Sequence, residues 1–119
     1  MAQILVIDDD TDIAALVELK LGLDGHAVAT ESDGLQGLER AQSDHPDVVI
    51  VDWTLPSLSG PEICARLRED PALDSTWVIM LTARPLGTDR LEETGADEVL
   101  AKPFSPRNLS ERVAAALDR

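Results

Sequence analysis

Apolar residues fall in this chain in short unbroken runs, separated by longer stretches in which they recur with a helical period. The clearest run is Val48 to Val51, four β-branched residues bounded by Asp47 and Asp52. Such a run predicts a strand buried on both faces, the environment of a central strand in a parallel sheet. Ile4 to Ile7 has the same character and ends in Asp8, Asp9 and Asp10. Trp77 to Leu81 ends at Thr82, and Glu98 to Ala101 ends at Lys102-Pro103. His26 to Thr30 is a weaker run and predicts a strand nearer an edge.

Between these runs the spacing lengthens. Ile13, Leu16, Val17 and Leu21 share one face of a predicted helix. Asp10 or Thr11 caps it, and Gly22 and Gly25 suit its end. Leu35, Leu38 and Gln42 share one face of a second helix, entered near Ser32 or Asp33 and broken by Pro46. Ser59-Gly60-Pro61-Glu62 has the spacing of a capping box and opens a third helix, which turns Ile63 and Leu67 inward and ends before Pro71. A fourth helix, Thr88 to Thr94, is short, poor in apolar residues and terminated by Gly95. Ser105 caps the last, with Pro106 at its first position and Leu109, Val113 and Leu117 on its inner face. Strands alternating with helices predict an α/β fold, a parallel sheet covered on both faces with right-handed crossovers. A chain of 119 residues is expected to form one domain over 1–119.

Composition narrows the function. A net charge of -13 repels a phosphate backbone, so direct nucleic-acid binding is not expected. Cys64 is the only cysteine, which excludes an internal disulfide and fits a reducing compartment. There is no N-terminal basic segment before a long apolar run, and no apolar stretch near the roughly 20 residues of a membrane span. The expectation is a cytoplasmic domain with no membrane partner.

In a parallel sheet the strand ends converge, and open α/β sheets place their sites at the carboxyl ends of strands. The first strand delivers Asp8 and Asp9, the third Asp52, the fourth Thr82 and the fifth Lys102. Two carboxylates about 4 Å apart repel by on the order of 4 kcal/mol at an effective dielectric of 20, so three need compensation. Lys102 supplies one positive charge and a divalent ion about two more. Oxygen ligands favour Mg²⁺, normally held by carboxylates, water and a phosphate.

With these residues in place, the chain resembles the receiver domain of two-component response regulators along its whole length. Ile4-Leu-Val-Ile-Asp-Asp-Asp10 is similar to that family's first strand and acid pair, and Asp52-Trp-Thr-Leu-Pro56 with Gly60 to its phosphoacceptor segment. Leu81-Thr-Ala83 and Lys102-Pro-Phe104 are similar to its third and fourth signatures. The resemblance implies a flavodoxin-like (βα)5 sheet in strand order 2-1-3-4-5 and a signalling module rather than an enzyme. It implies that Asp52 takes a phosphoryl group from a phosphohistidine on a sensor histidine kinase or phosphotransfer protein. It further implies Mg²⁺ on Asp9, Asp52 and the backbone carbonyl of Thr54, with Asp8 reaching the ion through water. Lys102 would bind the acceptor carboxylate and then the phosphoryl oxygens, Thr82 would hydrogen-bond the phosphoryl group, and the Lys102-Pro103 bond would be cis.

Some positions depart from the family pattern. Val99 stands where the family often has a Tyr or Phe switch, and the span from Thr82 to Gly95 is about two residues short. Thr54 and Arg84 occupy positions that tune phosphate lifetime in the family. The C-terminal third resembles receivers of winged-helix transcription regulators, which dimerise through acid-Arg pairs, and Asp97, Glu98, Arg112 and Arg119 match such positions.

Two other readings use similar residues. A phosphatase of the haloacid dehalogenase type also needs an Asp nucleophile, Mg²⁺, a Thr and a Lys. Its motif fails at Asp12, where Thr or Val is required, and leaves Asp52 without a role. A flavin-binding flavodoxin-like domain needs hydroxyls and amides where this chain has three acids.

Overall fold

The computed structural model describes residues 2–83 and 95–118. The predicted helix Thr88 to Thr94, together with Arg84 and Arg119, lies outside them. Five parallel strands form one sheet in the order β2-β1-β3-β4-β5: β1 (Gln3–Ile7), β2 (Ala27–Glu31), β3 (Val48–Asp52), β4 (Trp77–Thr82) and β5 (Glu98–Ala101). The described helices are α1 (Thr11–Leu23), α2 (Gly34–Asp44), α3 (Gly60–Glu69) and α4 (Pro106–Leu117), with a short 3₁₀ turn at Pro71–Leu73.

Side chains alternate across a strand, and the sheet sorts its apolar residues into two layers accordingly. Leu5, Ile7, Val49, Val51, Val78 and Met80 pack with Leu38 of α2 and with Ile63, Cys64 and Leu67 of α3. Ile4, Val6, Val48, Ile50, Ile79 and Leu81 pack on the other face, with Val17 and Leu21 of α1 and with Leu109 and Val113 of α4. All five residues of β3 are buried, as its unbroken β-branched run predicts for the central strand. β2 is an edge strand, as expected, but runs one residue later than the apolar pattern suggested.

The helix faces correct the sequence reading on α1 and α2. Leu16 is 46% exposed, and α1 buries Ala14, Val17 and Leu21 instead. On α2, Leu35 is 44% exposed and Gln42 is exposed, while Gly34, Gly37, Leu38 and Ala41 face the sheet. The reason is close approach: a Cβ on Gly37 would lie 2.7 Å from Ile7 Cδ1. A helix seated that near the sheet must turn its smallest residues inward, and hydrophobicity alone selects the wrong stripe. On α4, Leu109 and Val113 are buried and half-buried Leu117 packs against the same core layer, as expected, with Ala116 buried beside them.

The ends of the helices follow their caps. Asp10 rather than Thr11 caps α1, accepting from the Asp12 and Ile13 amides. Asp33 caps α2, accepting from the Gln36 amide. Ser59 and Glu62 form the predicted capping box of α3, and Ser105 caps α4 ahead of Pro106. His45 closes α2 in the left-handed region, with φ 49°.

Candidate functional site

Register assembles the site. Ile7 lies opposite Val51, so Asp8, one residue on, leaves the sheet beside Asp52. Asp52 lies opposite Leu81, and Thr82 lies opposite Ala101. Thr82 and Lys102 therefore leave the sheet on the same edge as the acids. The structure brings together the three acids expected from the sequence. Carboxylate oxygens of Asp8, Asp9 and Asp52 all lie within 4.8 Å of one another. This is the only such group of potential metal ligands among the described residues.

Each carboxylate is held differently. Asp8 is 1% exposed, and its Oδ1 accepts from the Asp10 amide at 2.9 Å. Lys102 Nζ stands 3.2 Å from Asp8 Oδ2 and 3.3 Å from Asp52 Oδ2, so one ammonium bridges the acids of two strands. The Lys102 side chain is 18% exposed, and Asp9 is open to solvent. Burial raises the Asp52 carboxyl above its ordinary range, and the neighbouring charge of Asp8 raises it further. Lys102 and the Thr54 amide pull the other way without cancelling that rise. Burial works against the Lys102 ammonium, but Asp8 and Asp52 outweigh it and hold the amine above its ordinary value. Thr82 is 4% exposed at the end of β4. Thr54 is exposed just beyond β3, and the Lys102-Pro103 bond is cis.

The fit to a hard divalent cation is good. The donors are all oxygens, two of the acids are buried, and a single ammonium offsets about one of about three negative charges. Asp52 also lies beside a lysine whose charge can neutralise an incoming anion.

Other residues singled out by sequence fall elsewhere. Trp53 packs partly buried against the core layer shared with α2 and α3. Trp77 opens β4 opposite Val48, at the far end of the sheet from Asp52. His26 Nδ1 accepts from the Ala2 amide, and neither histidine joins the acid cluster. Cys64 is buried, and burial pushes its thiol up to about 12, so it is a small apolar filler rather than a reactive group.

The acids proposed for pairing between copies have partners within the chain. Asp97 Oδ2 accepts from Arg68 at 2.6 Å and from the Val78 amide at 2.8 Å. Glu98 accepts from the Trp77 indole at 2.6 Å and forms an ion pair with Arg112. Sequence reasoning missed Arg68, which also donates to the carbonyls of Thr76 and Gly95, both at 3.0 Å, and so ties α3 to the starts of β4 and β5. Its position in the last turn of α3 gave no signal beyond an ordinary favourable helix-end charge.

Comparison with known proteins gives a consistent answer. A family model, the response regulator receiver domain, matches residues 4–114. The alkaline phosphatase synthesis transcriptional regulatory protein PhoP of Bacillus subtilis is 40% identical over 119 residues, covering 98% of this chain and 49% of that protein. The chain thus spans about half the length of that relative. The receiver domain of the Francisella response regulator 1452 superposes with a TM-score of 0.91 at 30% identity, covering 100% of this chain and 98% of that one. The receiver domain of the Pseudomonas aeruginosa sensor histidine kinase PA1611, solved with a magnesium ion coordinated in its active site cleft, superposes with a TM-score of 0.90 at 27% identity, covering 99% and 98%. The haloacid dehalogenase alternative finds no support in these matches. Receiver domains are signalling modules rather than classical enzymes, phosphorylation on an aspartate is typical of them, and they bind Mg²⁺ in an acidic pocket. By its sequence match over 4–114, its parallel sheet and its strand order, the chain belongs to the response regulator receiver domain family.

Proposed function

We propose that Asp52 is the phosphoacceptor of this receiver. An oxygen of Asp52 attacks the phosphorus of a phosphohistidine on a sensor histidine kinase or phosphotransfer protein. The new P–O bond makes an acyl phosphate, the P–N bond breaks, and the leaving imidazole takes up a proton. The observation that carries this reading is that Asp52 lies 3.3 Å from the Lys102 ammonium and within 4.8 Å of the other two acids of the cluster. Phosphoryl transfer depends on positioning and charge neutralisation more than on covalent help from the protein. Lys102 meets the developing phosphoryl oxygens, and the Thr82 hydroxyl donates to one of them. Asp9, Asp52 and the Thr54 carbonyl would hold Mg²⁺ directly and Asp8 would hold it through water, and the ion would supply positive charge that lets three acids and a phosphoryl group share the site. Loss of the phosphoryl group by hydrolysis at Asp52 returns the domain to its resting state.

Incubation with acetyl phosphate and Mg²⁺ adds one phosphoryl mass to the intact protein, and Asp52→Asn or chelation of the metal abolishes the addition. An undiminished mass shift in Asp52→Asn overturns the assignment. Output is expected through the face of β5 and α4; the predicted helix Thr88 to Thr94, expected to share in it, lies outside the described residues. Self-association there through Glu98 and Arg112 requires exchanging their internal ion pair for one between copies.

A further inference from the structure

The loop between β3 and α3 leaves the sheet at Asp52 and re-enters helix at Ser59-Gly60, yet its middle is held by the start of α2. The Gly34 amide donates to the Pro56 carbonyl at 3.1 Å. The Leu35 amide donates to Ser57 Oγ at 3.0 Å, and that hydroxyl donates to Asp33 Oδ1 at 3.0 Å. The other oxygen of Asp33 caps the helix through the Gln36 amide at 3.0 Å. Two amides that no carbonyl of α2 can serve are thus spent on the loop, and one carboxylate joins the cap to the clasp. The two segments touch closely: a Cβ on Gly34 would lie 2.3 Å from the Leu58 carbonyl oxygen.

Ser57 has φ +67°, a conformation that costs a side-chain-bearing residue roughly 1–2 kcal/mol and glycine almost nothing. Serine at this position gives up that freedom and gains a hydroxyl that accepts from α2 and donates to Asp33. Thr54 sits between two fixed points. On one side Trp53 donates to the Leu81 carbonyl at 2.8 Å and accepts from the Gly60 amide at 2.9 Å. On the other side stand Pro56 and Ser57, anchored as above.

We infer that Asp33 and Ser57 are positioning residues for metal binding, presetting the loop so that the Thr54 carbonyl is in place before a cation arrives. The inference rests on the metal site proposed above. Mg²⁺ tolerates little departure from octahedral geometry, and a carbonyl on an untethered loop would have to be ordered at the moment of binding. Groups that orient a ligand without touching the metal commonly carry a tenfold or larger share of affinity.

The test is a Mg²⁺ titration followed by Trp53 fluorescence, with Trp77 at the far end of the sheet as a constant background. Wild type, Ser57→Ala and Ser57→Gly are compared, and each is also unfolded with urea in the absence of metal. Ser57→Gly loses the two hydrogen bonds of the hydroxyl and relieves the backbone strain, opposing effects of similar size, so its stability is expected to stay near that of wild type. The expected result is Mg²⁺ affinity about tenfold weaker in both variants, with metal-free stability preserved in Ser57→Gly. A role confined to stability moves the urea midpoint and leaves Mg²⁺ affinity alone. Affinity in Ser57→Gly within twofold of wild type overturns the inference while leaving the metal site intact. A wild type with no Mg²⁺ response overturns the metal site and the inference with it.

Discussion

Burial raises the carboxyl of Asp52, Asp8 raises it further, and Lys102 offsets only part of the rise. The sign of the linked stability follows. Above the ordinary value of 3.8, the unfolded chain has released this proton while the native state still holds it. The native state binds more protons in that window, so stability falls as pH rises through the raised native value. Asp52→Asn removes this loss. In chelator, its urea midpoint is expected to exceed that of wild type at neutral pH, and the gap is expected to close as pH falls below about 4. Added Mg²⁺ then stabilises wild type and not the variant, because it binds only the intact native site. A midpoint for Asp52→Asn below that of wild type in chelator at neutral pH contradicts the raised carboxyl. The proposed phosphoacceptor is on this account the residue that burdens the metal-free fold.

The glycines of α1 and α2 separate two effects that sequence cannot rank. Alanine exceeds glycine in helix propensity by about 1 kcal/mol. At Gly22, exposed near the end of α1, an added Cβ meets nothing within 4 Å, so Gly22→Ala is expected to stabilise by up to about 1 kcal/mol. At Gly37 the same atom meets three side-chain atoms of Ile7 at 2.7 to 2.8 Å. Ile7 is fully buried and cannot swing away, and overpacking costs about 1–3 kcal/mol, so Gly37→Ala is expected to destabilise despite its better propensity. Urea denaturation of the two variants checks both signs. If Gly37→Ala stabilises, the close seating of α2 on β1 is wrong. The same seating explains why Leu35 and Gln42 were expected on the inner face and are found outside.

In the family, phosphorylation moves the Thr and an aromatic residue fills the space it leaves. Val99, half-buried on the edge strand β5 opposite Met80, has too little volume for that role. A ligand shifts two states only by its differential interaction with them, and the face that would exchange partners already holds Glu98 and Arg112 together. Phosphorylation is therefore expected to change self-association by less than the roughly 1–3 kcal/mol usual for allosteric coupling. Analytical ultracentrifugation with and without beryllofluoride measures this. A hundredfold gain in dimer affinity shows that the switch works without the aromatic.

Much of this architecture was legible in the chain because it depends on local rules. Unbroken β-branched runs mark strands buried on both faces, and Asp10, Ser59 and Ser105 announce helix starts by the amides they can serve. The candidate site was legible because a parallel sheet carries the last residue of every strand to the same edge, so Asp8, Asp52, Thr82 and Lys102 converge whatever the packing details. Packing decided what distance and orientation decide. Small residues set the inner face of α2, since a helix can approach the sheet closely only where it lacks side-chain bulk. Asp97 and Glu98 read as acids for pairing between copies, and the fold gives them Arg68, Trp77 and Arg112 within the chain. Ser57 carried no signal at all, because its importance lies in a left-handed backbone and in contacts with residues more than twenty positions away, and neither exists until the chain has folded.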